Sequence, residues 1–256
     1  MKFGALGDRV SAFGREVSYL ALVLGRATRA LPRMRAADFR EQLGRVALSA
    51  LPLVGVAALF IGLVIALISS VQLSRLGQSH LVADAVSLAL VGTLAPIFTA
   101  LLMAGKAGAG LASELGMVTL SGQAQAMRAM SVDIDRELIA PRVWACVVGT
   151  VLLTIAAMLL GLFGGMVLAA VKLDVSPMHF MSRMVEALAP TDIAQGLIKS
   201  ACFGLIIATM GTAFGLKAKA DAAVLGHHTM RAVVLSSFLI LVSDYILTTL
   251  ILAVFS

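Results

Sequence analysis

Charged side chains are scarce in this sequence: they make up 13% of its 256 residues, where a soluble domain carries about a quarter. Too little polar surface is available to clothe an ordinary water-soluble enzyme or binding module. Cysteine is nearly absent. Cys146 and Cys202 both fall inside apolar runs, where a thiol behaves as a small hydrophobe, so neither a disulfide framework nor a cysteine metal site is expected. Aromatic residues reach only 5% and do not interleave with the basic ones, so the net charge of +6 does not describe a nucleic-acid surface. His227 and His228 adjoin each other with no third or fourth ligand nearby, which leaves no metal site to expect. No Ser, His and Asp set and no paired carboxylates can be assembled on one face, and no loop could hold an ATPase or a second globular domain. Catalysis within the chain is the weaker reading.

What is present is apolar: 60% of the residues are hydrophobic and the mean hydropathy is +0.99, as expected of a chain whose solvent is mostly lipid. The expected fold is an all-α integral membrane protein, with an N-terminal interfacial helix and basic linker over residues 1–45 and a five-span domain over 46–256. Spans are expected at about 46–69, 81–104, 143–170, 196–216 and 232–255. Pro52 and Pro96 lie inside the first two, where each frees a backbone carbonyl that a neighbouring helix or water must satisfy. Between Pro177 and Pro190, Phe180, Met181, Met184, Val185 and Leu188 suggest a short amphipathic helix in the connector.

Phe3, Leu6, Val10, Phe13, Val17, Leu20 and Leu24 recur at steps of three and four, with Asp8, Arg9, Arg15, Glu16 and Arg26 among them. That pattern gives a helix with one apolar stripe, too polar to span and suited to lie against anionic headgroups or to pack on a soluble partner. Lysine and arginine are distributed unevenly about the spans. Nine fall within residues 1–45, then Lys106, Arg128, Arg136 and Arg142, then Lys217, Lys219 and Arg231, all on one side; the other side has only Arg75, Lys172, Arg183 and Lys199. The bias places the N-terminus in the cytoplasm and Ser256 outside.

Ala104 to Gly116 is rich in Gly and Ala and carries Lys106 and Glu114. A phosphate-loop reading fails, because Ala100 stands where the motif needs its first glycine and Ala107 where it needs Ser or Thr. Small residues here, and the pairs Gly161 with Gly165 and Gly211 with Gly215, fit close helix packing. Glu114, near the bilayer boundary, is expected to pair with Lys106 or Arg142. Asp244 lies mid-span, where a charge costs at least ~2.5 kcal/mol, so it should face a partner, a cavity or a packing hydrogen bond. Lys199, near a helix end, is expected to snorkel. The stretch Leu120 to Leu138 is amphipathic, and it would rest on the membrane surface or give a soluble ATPase a rigid grip.

The order of these features resembles the MlaE (YrbE) permease family of the maintenance-of-lipid-asymmetry system, from about Phe39 to Ser256. The most specific part is Leu94 to Val118, LAPIFTALLMAGKAGAGLASELGMV, similar to the family's Gly-Pro pair, Ala-Gly-Arg-x-Gly and Ala-Glu-Leu-Gly. Gln123, Ala126, Met130, Val132, Asp133, Pro141 and Arg142 continue the match, and Asp244 falls where the family carries an aspartate. The resemblance implies the permease subunit of an ABC-type lipid transporter in the inner membrane of a double-membraned bacterium. A homodimer would bind ABC ATPase subunits, which carry ATP and magnesium while this chain carries no cofactor. A ring of MCE-domain proteins would sit outside and, in some systems, a small STAS-domain protein inside. It also implies that Leu120 to Leu138 includes a coupling helix, with Glu114, Gln123, Arg128 and Asp133 as coupling residues. A lipid pocket at the dimer interface would be lined by the first, second and fifth spans through Leu63, Leu67, Ile68, Val71, Leu90, Gly92, Thr93 and Asp244.

The sequence departs from the family where relatives often have Arg-Glu, here Gly92 and Thr93, and a glutamine, here Ile68. In the connector it has Gly122-Gln123 and Asp133-Ile134 in place of Glu-Gln and Asp-Pro. Acyl chains are therefore expected to dominate binding, with weak headgroup selection. A scaffold anchoring an MCE assembly without active transport is the runner-up, and an intramembrane lipid-modifying enzyme comes third.

Overall fold

A computed structural model describes residues 25, 28–29, 35–78, 81–173, 176–217 and 222–255. The expected interfacial stripe from Phe3 to Leu24 lies outside the described residues. Among the described residues there is no strand, and five helices are long and apolar enough to cross a membrane. In chain order the helices are α1 Ala36–Arg75, α2 Val82–Leu120, α3 Gln123–Ala129, α4 Asp135–Lys172, α5 Pro177–Ala187, α6 Pro190–Lys217 and α7 Ala222–Phe255. All but the short α3 and α5 are the spans.

Each helix overruns its expected span, because apolarity marks only the stretch that meets lipid whereas backbone hydrogen bonding continues wherever neighbours cover the helix. The first begins at Ala36 rather than after a linker, placing Arg40 and Arg45 on its opening turns. The second departs most from expectation. It does not stop at Ala104 but runs on through Lys106 and Glu114 to Leu120, interrupted by π turns at Leu90–Leu94 and Ala104–Gly108. The expected connector helix between Pro177 and Pro190 is α5, whose N-cap Ser176 accepts a hydrogen bond from the His179 amide.

Small residues decide how the helices meet. The buried positions of α1 are Ala50, Val54, Gly55, Ala58, Gly62, Ala66 and Ser70, a stripe at steps of one to four that lets the backbone of α4 come close. A Cβ on Gly62 would fall on the carbonyl of Gly161. One on Gly161 would stand 2.7 Å from Leu90 Cδ1. The other expected pair works on α2: a Cβ at Gly211 would be 2.8 Å from the Gly108 carbonyl oxygen, and one at Gly215 2.9 Å from that of Ala112. Both glycine pairs thus serve packing within the chain. The main core formed around these crossings includes Val54, Leu90, Met103, Val143, Leu153, Phe203 and Ile207.

Candidate functional site

Pro96 has no amide hydrogen, so it cannot give the carbonyl of Gly92, four residues earlier in α2, an α-helical hydrogen bond. Inside lipid such an acceptor must be satisfied by protein. The donor comes from α6: Lys199 Nζ lies 3.2 Å from that carbonyl oxygen and 2.8 Å from Thr248 Oγ1 of α7. Its third neighbour is Asp244 Oδ1 at 3.0 Å, an ion pair whose angle falls short of a hydrogen bond. Thr248 in turn donates to the Asp244 backbone carbonyl at 2.7 Å. The ammonium therefore has three oxygen neighbours inside the bundle, two of them hydrogen-bonded and the third an opposite charge.

Lys199 does not snorkel. Its side chain is 0% exposed, because it sits about 14 Å along α6 from Pro190 and faces the α2 and α7 interior. Asp244 has the partner that its position demands, a lysine rather than a hydroxyl. Sequence reasoning misses the pairing, although a lone lysine within one span and a lone aspartate within another is the available signal.

At the end of the bundle that carries Arg45, Glu114 Oε2 pairs with Arg142 Nε at 3.3 Å. Of the two expected partners it is Arg142; Lys106 instead donates to the Ser49 carbonyl of α1. Arg142 also donates to the Leu138 carbonyl at 3.1 Å, so the guanidinium ties the start of α4 to α2. Glu114→Gln keeps the shape but weakens the charge-assisted bond, and faster hydrogen exchange over residues 109–120 and 135–145 is the expected readout. Exchange identical to that of the unaltered chain would mean that the pair fixes nothing.

At the opposite end, Arg183 of α5 pairs with Asp84 of α2 and, at 3.3 Å, with Glu186. This clamp holds α5 over an apolar hollow of about 200 Å³ that includes Phe163, Met166, Phe180 and Met184 in its wall.

The expected pocket residues do not enclose one cavity within a single chain. Leu67, Ile68 and Val71 lie exposed along α1, and Leu63 is half-buried beside them. Leu90 belongs to the core, 1% exposed and packed on Gly161, so a lipid probe placed there would meet protein. Leu90 lies one helical turn after Val86 and two after Ala83, on the same buried face of α2. Gly92 is buried and Thr93 half-buried. The expected coupling residues Gln123 and Asp133 are exposed; the side chain of Arg128 lies outside the described residues. Asp133 Oδ1 accepts from the Asp135 amide at 3.0 Å, capping the start of α4.

Two helices keep large apolar faces uncovered. Only 11% of the most apolar window of α7 is buried, against 67% for α6. Phe238, Leu241 and Tyr245 stand out from α7, and Val56, Phe60 and Val64 from α1.

A five-span bundle with a charged node deep inside and broad apolar flanks defines a multi-pass membrane protein. Residues 39–250 match the family described as Permease MlaE, and the chain belongs to that family of ABC transporter permeases. It is similar to a probable ABC transporter permease protein of Rickettsia prowazekii, 33% identical over 82% of this chain and 81% of the relative. The intermembrane phospholipid transport system permease protein MlaE of Haemophilus influenzae is 30% identical over 96% of this chain and 95% of its own length. A probable ABC transporter permease protein of Synechocystis is also 30% identical, over 82% and 80%.

Proposed function

We propose that this chain is the permease subunit of an ATP-driven transporter that moves phospholipid or a related lipid between the inner membrane and MCE-domain proteins outside it. The observation that carries this reading is the similarity, over nearly the whole length of both chains, to a permease whose name specifies intermembrane phospholipid transport. Two copies pack through the uncovered faces of α1 and α7, and the lipid lies between them against Leu63, Leu67, Ile68 and Val71. With Gly92 and Thr93 in place of a charged pair, apolar contact dominates and headgroup selection is weak. The basic end faces the cytoplasm and Ser256 the periplasm, following the distribution of Lys and Arg. ATP and magnesium belong to separate ATPase subunits that grip α3 and the Asp133 turn, near the Glu114–Arg142 pair; a small STAS-domain protein is a further cytoplasmic partner.

The test is reconstitution with an ABC ATPase and MCE-domain subunits from the same organism. Arg128→Glu with Asp133→Lys is expected to reduce lipid-stimulated ATP hydrolysis about tenfold or more, as loss of a buried charge contact does. Asp133→Asn retains the cap of α4 and separates a docking role from a folding one. Photocrosslinkers at Leu67 and Val71 should capture lipids of several headgroup classes. Full ATPase coupling in the double variant, together with no lipid captured at either position, would overturn the reading.

A further inference from the structure

The seam between α1 and α2 contains three hollows in a row. Nearest the basic end is a cleft of about 190 Å³ whose rim carries Gln42, Arg45, Lys106 and Glu114. Its floor is apolar, formed by Val46 and Leu111. The next hollow, beside Val54 and Leu102, is a constriction of about 10 Å³, and beyond it the seam opens into a groove of about 360 Å³ walled only by apolar side chains, among them Phe60, Val64 and Phe98. From Ser49 to Phe60 the distance along α1 is about 16 Å.

The cleft favours an anion. Glu114, its acidic member, is engaged by Arg142 at 3.3 Å. Lys106 is held by a neutral backbone carbonyl, leaving two of its three N–H donors for a ligand. Arg45 meets Glu41 at 3.0 Å in an exposed pair, 55% and 69% accessible, the kind that contributes little and exchanges readily. The π turn at Ala104–Gly108 places Lys106 over this cleft, against α1.

A free anion would fill the cleft and leave the groove empty, whereas a peptide would find no polar partner for its backbone beyond the constriction. A cationic cleft and an apolar groove on one seam match a phosphate diester whose acyl chain crosses the narrow middle hollow on the lipid-facing side of the helices. We propose that this seam binds one phospholipid of the cytoplasmic leaflet, with its phosphate between Arg45 and Lys106 and one acyl chain running along Phe60, Val64 and Phe98. The site is distinct from the expected pocket on Leu67, Ile68 and Val71, although Val64 lies one turn before Leu67 and makes the two surfaces continuous, so that in the proposed dimer the acyl chain lies at the edge of the α1 contact. The assignment to the cytoplasmic leaflet rests on the proposed orientation; the binding chemistry does not.

The test is native mass spectrometry of the delipidated full-length chain, without ATP or partner subunits, so that it reads lipid binding independently of transport. The probes are phosphatidylglycerol, dioleoylglycerol and inorganic phosphate. One phosphatidylglycerol is expected to be retained, with neither dioleoylglycerol nor inorganic phosphate able to replace or displace it. Arg45→Ala with Lys106→Ala should weaken retention about thirtyfold, and Val64→Trp, which fills the exposed groove, should also lower it. Arg40→Ala, outside the cleft, should leave it unchanged. The melting temperature of each variant establishes that it is folded, and for any variant that fails, crosslinking of a photoreactive phospholipid to residues 42–49 and 98–106 of the unaltered chain gives the same reading. Equal retention of dioleoylglycerol, undiminished binding in the double alanine variant, or displacement by inorganic phosphate would each overturn the proposal.

Discussion

Asp244→Ala is expected to destabilise the bundle by about 3–5 kcal/mol, the range for removing one member of a buried ion pair. Lys199, 0% exposed, would keep the Gly92 carbonyl and the Thr248 hydroxyl but lose the carboxylate beside it. Lys199→Met should cost a similar amount for a different reason, since it leaves both the carboxylate and the Gly92 carbonyl without their donor. The double variant Lys199→Met with Asp244→Leu removes both charges and is expected to be less damaging than either single change, leaving mainly the carbonyl unsatisfied. Unfolding in mixed micelles followed by circular dichroism measures all three. A double variant whose loss equals the sum of the singles would show that the two side chains act independently.

Gly62→Val should be more severe still, with no folded protein recovered after detergent extraction. A Cβ at this position coincides with backbone of Gly161 rather than with a side chain that could turn aside, so α1 and α4 would have to separate along their length. Overpacking usually costs about 1–3 kcal/mol when neighbours can relax; here the neighbour is main chain. Gly92→Ala is the matched control, because a Cβ there meets nothing within 4 Å and its carbonyl stays available to Lys199. Monodisperse elution of Gly62→Val from size exclusion at the normal yield would refute the close-crossing account.

These two sites mark what the sequence can and cannot disclose. The five spans are legible because an apolar run of about 20 residues matches the thickness of a bilayer and exceeds what most buried core helices need. Gly161, Gly165, Gly211 and Gly215 are legible as packing positions because small residues at a spacing of four share one helix face, although which helix each meets is not. Lys199 is deceptive in sequence, since its distance from a helix end carries no information on the direction it faces. That direction depends on partners 49 and 107 residues away in the chain. Leu90 continues the buried face of Ala83 and Val86, and an apolar run does not disclose which of its faces meets protein and which meets lipid. The extension of α2 past Lys106 is hidden because polarity suggests the end of a span, whereas Gly108 and Ala112 hold the helix against α6.

A π turn is an α-helix carrying one surplus residue, and in α2 two of them stand about four helical turns apart, at Leu90–Leu94 and Ala104–Gly108. Each advances the rest of the helix by roughly 100° about its axis, so the Lys199 contact and the Lys106 contact are set in phase by insertions rather than by residue spacing. Removing one residue from the second turn would leave a regular helix of full hydrogen bonding, yet it would swing Glu114 away from Arg142 and Lys106 away from Ser49. In this helix the length of the chain is itself a functional variable, and a one-residue deletion that no hydropathy plot would register should uncouple its two ends.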